Sequence, residues 1–470
     1  MIHQKAICSL ALSNHQNTKI PQSYHQLKTY LMKKFVLLIL LFQLFALSIT
    51  AQIKSGPMVG YSDMKEVMLW VQTEKPAKVK FIYWDKEKPA IKYATDEIAT
   101  IKKDGFVAKL VCDQVTMGKK YDYEVWVNGK KVARDYPLSF QSQELWQYRK
   151  DPAAFKFAVG SCNYINETET DRPGRAYGGF PEIFTSIYQK QPDFMIWGGD
   201  NFYYREPDWN TRTGMIHRNT HSRSIPEMQP LLGSVHHYAI WDDHDYGPND
   251  SDRSFWNKDM ALEMFKLFWA NPNYIFQNEA TTGTFQWNDV QFFMLDDRWF
   301  RAPNENFTGD RDYYGKKQLT WLIDALVDSK ATFKIIVTGG QVINPAKVFE
   351  NMAVYEAERA DLLKKIGDAN IPGVLFISGD RHHTCLQKLE RSGANYPLYD
   401  LTVSPLTSGP SKPVKEENNS PIVDGTLFTE RNFAICDVSG PLKDRVLKIT
   451  IFDTKGTQVW SKDIKASELK

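Results

Sequence analysis

The chain is 470 residues long, with 42% hydrophobic, 24% charged and 13% aromatic positions and a formal net charge of +2. That composition excludes collagen-like, coiled-coil and disordered classes and fits a soluble globular protein of two or three domains. A single apolar run, Phe35 to Ile49, approaches membrane length, and its 15 residues fall short of the roughly 20 that span a bilayer; the near-neutral charge offers no stripe for nucleic acid.

Residues 1–51 differ chemically from the rest. They hold five lysines (Lys5, Lys19, Lys28, Lys33 and Lys34) and no Asp or Glu, so the remainder carries 53 basic and 56 acidic residues, a net charge of −3. From Met32 the text reads MKKFVLLILLFQLFALSITAQ: a positive start, a short apolar core, and small residues at Ser48, Thr50 and Ala51. This is the anatomy of a secretory signal. We expect translation to start at Met32 and cleavage near Ala51. The mature chain is then secreted or periplasmic, about 420 residues long and without a membrane span. No Cys follows the cleavage site, which speaks against a lipid anchor. Export puts Cys112, Cys162, Cys385 and Cys436 in an oxidising compartment. They show no CxxC pairing, and a chain this long builds its core without disulfides.

Residues 52–147 read as β throughout. EVMLWVQT, AKVKFIYW, GFVAKLVC and YDYEVWVNG alternate apolar with polar or run as short aromatic and β-branched stretches, with turn signals such as Lys103-Asp104-Gly105 and Asn128-Gly129 between them. This spacing predicts a small fibronectin-like β-sandwich. The segment from Pro57 to Gln147 has no histidine, which suits a packing or positioning module.

Over residues 153–465 the pattern changes to mixed α/β. FKFAVGS is a buried strand, PEIFTSIYQK a helix by the spacing of Ile183, Phe184, Ile187 and Tyr188, and FMIWGGD a second strand. YAIWDDHD, a helix near Asp259 to Trp269, and the hairpin TFQW-ND-VQFFMLDD follow. A helix QLTWLIDALV, a strand KIIVTGG, a helix near Glu358 to Ile366 and a strand VLFISGD come next. The tail closes with NFAICDV, RVLKITIFD and TQVWSKDI, strands expected to finish a sheet of the same domain. Such alternation indicates a layered α/β domain.

Ligand-type residues collect where the buried strands end. FAVGSC ends at Cys162, FMIWGGDNFYY at Asp200 and Tyr203, AIWDDHD at Asp242 to Asp245, and VLFISGDRHH at Asp380 to His383. In open α/β sheets ligands sit outside the carboxyl ends of strands. Four strands delivering Asp, His, Tyr and Cys to one edge suit a site for more than one metal, because two ions need a bridging carboxylate between them.

Gly-Asp200-x-x-Tyr203, Trp241-Asp-Asp-His-Asp245 and Gly379-Asp380-x-His382, after Gly160-Ser-Cys162, resemble the alkaline phosphatase D family, a branch of the calcineurin-like metallophosphoesterases. Leu295-Asp-Asp-Arg298-Trp-Phe-Arg301 and the preceding β module fit the same pattern. The resemblance implies a four-layer αββα domain and a phosphomonoesterase or phosphodiesterase with a binuclear site. It implies Fe³⁺ held by Cys162, Asp200, Tyr203 and His382. It also implies Ca²⁺ held by Asp200 as the bridge, Asp243 and Asp380, with Asn249 as a further ligand. Thiolate and phenolate are anionic donors suited to Fe³⁺, and all-oxygen ligation suits Ca²⁺. A histidine usual between the last two motifs has no counterpart; Gly339-Gly-Gln341-Val-Ile-Asn344 stands there, which leaves open whether Gln341 or Asn344 contributes.

The implied reaction is attack of a metal-activated hydroxide on phosphorus, with His244 protonating the leaving group or stabilising the equatorial oxygens. Arg298 and Arg301 are candidates to neutralise the substrate phosphate, or LDDR is a strand-end ion pair. His217 and His221, four apart, share a helix face without a nearby carboxylate, which suggests solvent or a substrate rim. His236 and His237 look incidental, and His383 should point away from His382. Three other readings stand beside this one: a diesterase or phospholipase for lipid or wall-polymer head groups, a non-catalytic glycan-binding surface protein, and a binuclear amide or ester hydrolase.

Overall fold

In the computed structural model the described residues are 53–470. The secretory-signal reading of residues 1–51 lies outside them. Nine strands come first: β1 (Ile53–Ser62), β2 (Val67–Thr73), β3 (Lys78–Asp85), β4 (Tyr93–Ala94), β5 (Ile98–Ala99), β6 (Val107–Cys112), β7 (Lys120–Val127), β8 (Lys130–Val132) and β9 (Ser139–Gln141). Strand–helix alternation then begins with β10 (Phe155–Gly160), α1 (Ile183–Gln189), β11 (Phe194–Gly198), α2 (Arg212–Arg223), α3 (Gln229–Ser234), β12 (His236–Ile240), α4 (Asp243–Tyr246) and α5 (Lys258–Phe268). It continues through the hairpin β13 (Gly283–Trp287) and β14 (Val290–Met294), α6 (Gly315–Asp328), β15 (Phe333–Val337), α7 (Glu356–Asp368) and β16 (Val374–Ser378). Five strands close the chain: β17 (Cys385–Leu389), β18 (Leu398–Thr402), β19 (Asn432–Ser439), β20 (Val446–Asp453) and β21 (Gln458–Lys465).

Two large sheets form the centre. One has nine strands in the order β21-β20-β19-β10-β11-β12-β1-β2-β6, and the other six in the order β13-β14-β15-β16-β18-β17. Their middle strands are parallel, β10 to β11 to β12 in one and β14 to β15 to β16 to β18 in the other. The strands β11, β12, β15, β16 and β18 are buried on both faces, as expected where parallel strands are covered on each side. Between the sheets, Tyr238 stacks on Phe285 at 3.7 Å, and Phe157 meets Phe292 edge-on at 5.3 Å. On the outer face of the first sheet, Ala158, Met195, Trp197 and Ala239 pack with Ile183, Phe184 and Ile187 of α1, Leu231 of α3 and Phe265 of α5. Leu319, Leu322 and Leu326 of α6 and Leu362 and Ile366 of α7 join the cluster of β14 to β16. The expected four-layer αββα arrangement follows from this packing.

The amino-terminal strands build a core of their own. Val59, Leu69, Val71 and Leu110 meet Phe81, Tyr83, Tyr121 and Val125 of a sheet formed by β3, β4, β5, β7, β8 and β9. The boundary expected at residue 147 does not break the sheet, however. β1 pairs in parallel with β12, with Val59 opposite His236, so β1, β2 and β6 extend the nine-stranded sheet. His236 fastens this seam: its Nδ1 lies 2.7 Å from the Gly60 carbonyl, and its Nε2 accepts from the Gln141 N–H at 3.1 Å. His237 accepts at Nδ1 from Trp197 Nε1 at 2.9 Å. Both histidines are buried within β12, and they are structural.

Candidate metal centre

The turns that end β10, β11 and β16 aim their side chains at one point. Cys162, Asp200, Asp380 and His382 all adopt left-handed backbone, with φ of 57°, 51°, 60° and 54°. Non-glycine residues held there carry a cost of about 1–3 kcal/mol each and concentrate at functional sites. Gly199 makes the β11 turn possible: its φ is +94°, and a Cβ there would lie 2.7 Å from that of Asp242.

The first donor group is centred on one oxygen of Asp200. Its Oδ2 accepts from the Tyr203 hydroxyl at 3.1 Å and lies 3.6 Å from the Cys162 sulfur. The same hydroxyl lies 3.2 Å from His382 Nε2. His382 Nδ1 sits 2.5 Å from the Gly409 carbonyl, so Nδ1 holds the proton and Nε2 presents its lone pair to the cluster. Ser404 supports the group by donating to Cys162 Sγ at 3.1 Å and accepting the His382 backbone N–H at 3.0 Å. Burial pushes the Cys162 thiol up to about 12. Burial, then the Asp243 carboxylate, holds Asp200 well above the usual carboxylate range.

The second group consists of oxygens. In Trp241-Asp-Asp-His-Asp245 the four polar residues divide their work. Asp242 caps α4, accepting at Oδ1 from the Asp243 N–H at 3.0 Å, and Asp245 accepts from the Asp242 N–H at 2.6 Å and from Asn201 Nδ2 at 2.6 Å. Asp243 and His244 are left to face the cavity. Asp200, Asp243 and His244 offer ligand atoms within 4.8 Å of one another, and so do Asp243, Asp250 and Glu350. Asp380 and Asn249 line the same cavity, of about 1070 Å³. Asp380 Oδ2 is buried without a hydrogen-bond partner, and burial pushes this carboxyl up to about 6. Among the described residues, then, sulfur, phenol and imidazole converge on one side of Asp200 and carboxylates crowd the other, with an orphaned buried oxygen among them. This donor set fits two cations of different character.

The remaining expected residues fall as follows. His244 lies against the Tyr203 ring, tilted by 34° with centroids 4.0 Å apart, and its Nε2 is 3.8 Å from Asp243 Oδ2. Burial holds its imidazole below the ordinary value, against the pull of Asp243. Arg298 and Arg301 do not reach substrate space, and the expectation that they bind phosphate is corrected. Both guanidinium groups are fully buried behind the cavity. Arg298 Nε donates to Asp242 at 2.6 Å and its Nη1 pairs with Glu350 at 2.9 Å; Arg301 pairs with Glu350 at 2.9 Å and packs over Tyr313 and Tyr355. They position carboxylates instead. Gln341 and Asn344 make their contacts off the cavity wall: Gln341 donates to Thr402 Oγ1 and Asn344 to Gln341 Oε1, each at 2.7 Å. His383 is buried, and its Nδ1 has no hydrogen-bond partner. His217 and His221 do have a carboxylate, because Glu167 reaches α2 and lies 2.8 Å from His217 Nε2. Sequence reasoning missed Asp250 and Glu350. The acidic run Asn249-Asp250-Ser-Asp252 was a signal for the first; nothing around Phe349-Glu350-Asn351 marks the second.

The fold is one that solved phosphatases share, and the site is a cluster of metal-ligating side chains within it. Residues 272–437 match the family described as PhoD-like phosphatase, and residues 50–145 match a domain of unknown function, DUF7800. A solved structure of PhoD is similar over 90% of this chain and 92% of its own, with 15% identity and a TM-score of 0.72. The purple acid phosphatase PPD1 from yellow lupin (Lupinus luteus) seeds is similar over 88% of this chain and 74% of its own, with 10% identity and a TM-score of 0.64. No curated protein matches the chain by sequence. The four-layer fold and the phosphatase resemblance read from the motifs therefore stand.

Proposed function

We propose that the protein is an exported phosphoric ester hydrolase with Fe³⁺ held by Cys162, Asp200, Tyr203 and His382 and Ca²⁺ held among the oxygens of Asp200, Asp243 and Asp380, with Asn249 beside them. Asp250 and Glu350 are further oxygen donors for the second ion. The single observation that carries this reading is the convergence of Cys162, Tyr203 and His382 on Asp200, whose other neighbour is Asp243. Bound there, two cations would supply Lewis acidity to a phosphoryl oxygen and acidify a water. The protein's own residues do the rest. Asp200 fixes the spacing of the two donor groups. His244, held against Tyr203 at the cavity wall, carries a proton to the leaving oxygen. Arg298 and Arg301 keep Glu350 in place from behind. Export rests on the signal-like segment before Ala51. Among the described residues no helix is long and apolar enough to cross a membrane.

A glycan-binding protein without catalysis would have no use for a buried, orphaned carboxylate oxygen in a ring of metal donors. The test is turnover of p-nitrophenyl phosphate and of bis-p-nitrophenyl phosphate by metal-loaded protein. Activity on the first supports a monoesterase and on the second a diesterase. Inactivity on both, with full metal occupancy, overturns the proposal.

A further inference from the structure

Beside the main cavity lies a second one of about 270 Å³. The two share Tyr177, His244 and Asn249 as wall residues, so a ligand at the metal centre borders both. The smaller cavity is also lined by Arg172, Arg175 and Arg205, against a single carboxylate, Asp171. That carboxylate is already engaged: its oxygens accept from the Tyr164 hydroxyl at 2.6 Å and from the Glu167 N–H at 2.8 Å.

Arg205 is the unusual member. Only 7% of the residue is exposed, yet its Nε and Nη2 have no hydrogen-bond partner. The carboxylate it approaches, Glu206, is 3.6 Å from Nη2 and 61% exposed. Arg218, which is also buried, shows what a structural arginine looks like here: it pairs with Asp208 at 2.7 Å and Glu167 at 2.8 Å. A buried guanidinium with unmet donors is costly unless an acceptor arrives from outside. Its planar fork matches a phosphoryl group. Arg172 and Arg175, both exposed, add positive charge at the same cavity.

We propose that this cavity is an anion subsite for a second phosphoryl group of the substrate, distinct from the one hydrolysed at the metal centre. The inference rests on the phosphoric ester hydrolase reading and narrows it to organic phosphates that carry two phosphoryl groups on a short spacer. Two groups on one molecule reach both cavities at once, and Arg205 gains the acceptor that the fold withholds.

The test is calorimetric binding of three non-hydrolysable probes to the metal-loaded full chain: propylphosphonate, 3-phosphonopropionate and propane-1,3-bisphosphonate. The wild type is expected to bind the bisphosphonate about tenfold or more tighter than propylphosphonate, the equivalent of one charge-assisted hydrogen bond. Arg205→Met should erase most of that preference, and the surface pair Arg172→Ser/Arg175→Ser should weaken it. Equal affinity of the wild type for the mono- and bisphosphonate, or an undiminished preference in Arg205→Met, overturns the subsite. Equal affinity for 3-phosphonopropionate and the bisphosphonate overturns its assignment to a phosphoryl group. If Arg205→Met does not fold, the Arg172→Ser/Arg175→Ser pair decides, and an unchanged preference there overturns the proposal. Hydrolysis of p-nitrophenyl phosphate by the same wild-type sample reports on the enzyme reading separately, since binding of the probes requires no turnover.

Discussion

Arg298→Met distinguishes a positioning arginine from a substrate-binding one. Arg298 is fully buried and bonds Asp242 at 2.6 Å, pairs with Glu350 at 2.9 Å and lies 3.8 Å from Asp297. Methionine keeps much of the volume and removes the charge, so three buried carboxylates lose their shared cation. Breaking a buried pair by deleting one partner costs about 3–5 kcal/mol, because the remaining charge is left uncompensated. Against a total stability of roughly 5–15 kcal/mol, that loss is large. Urea unfolding of the wild type and Arg298→Met should resolve it directly. Adding Glu350→Gln removes one of the stranded charges, so the double variant should lose less than the sum of the two single changes. The result that refutes this reasoning is a stability loss below about 1 kcal/mol together with a raised KM. Arg298 would then bind substrate, as its place in Leu295-Asp-Asp-Arg298 first suggests.

Four further outcomes follow from the same geometry. Gly199→Ala places a Cβ 2.7 Å from that of Asp242 at a φ of +94°; it should destabilise the fold and lower metal content, and a variant with wild-type melting and full metal would contradict the tight-turn argument. His236, buried at the β1–β12 seam, has its pKa lowered by burial to about 4. The unfolded chain takes up that proton first, so this contribution is complete above about pH 6.5, is lost as pH falls toward 4, and amounts to roughly 3 kcal/mol; the stability advantage of wild type over His236→Gln in urea should shrink by that amount between pH 7 and 4, and a constant gap would disprove it. Tyr203→Phe should remove a visible absorption band if the phenolate binds Fe³⁺, whereas a colourless wild type containing only zinc refutes the iron assignment. His244→Asn should cut turnover about 10²–10⁴-fold with metal content intact; loss of metal instead would make His244 a ligand.

Much of the site was legible because β10, β11, β12 and β16 are short apolar runs that stop abruptly at glycine or tryptophan and then deliver a ligand-type residue. Burial on both faces makes such strands stand out, and their carboxyl ends are where a layered α/β fold gathers chemistry. The pattern picks out Cys162, Asp200, Tyr203, Asp243 and His382, and the structure brings them together. Glu350 was not, because it sits in an irregular loop whose place is set by Arg298 and Arg301, and no local period announces a contact made by two distant guanidinium groups. The same two arginines carried the wrong expectation for a related reason: sequence shows that a charge follows a strand, not whether it faces the cavity or the carboxylates behind it. Glu167 beside His217 is a pairing across 50 residues with no pattern linking them. The seam between β1 and β12 was likewise hidden. Alternation shows which face of a strand is buried, while the partner along its edge is chosen by backbone hydrogen bonds that any residue can make.

The central claim is that the residues around Asp200 hold metal ions that this protein needs to cleave phosphate esters. Its most direct test is turnover of p-nitrophenyl phosphate and its bis ester measured on one sample before and after exhaustive chelation, with metal content determined at each stage. The account predicts bound metal and activity that vanish together, and that return together when metal is restored to the wild type but not to Asp200→Asn. Full activity in metal-stripped protein would contradict it.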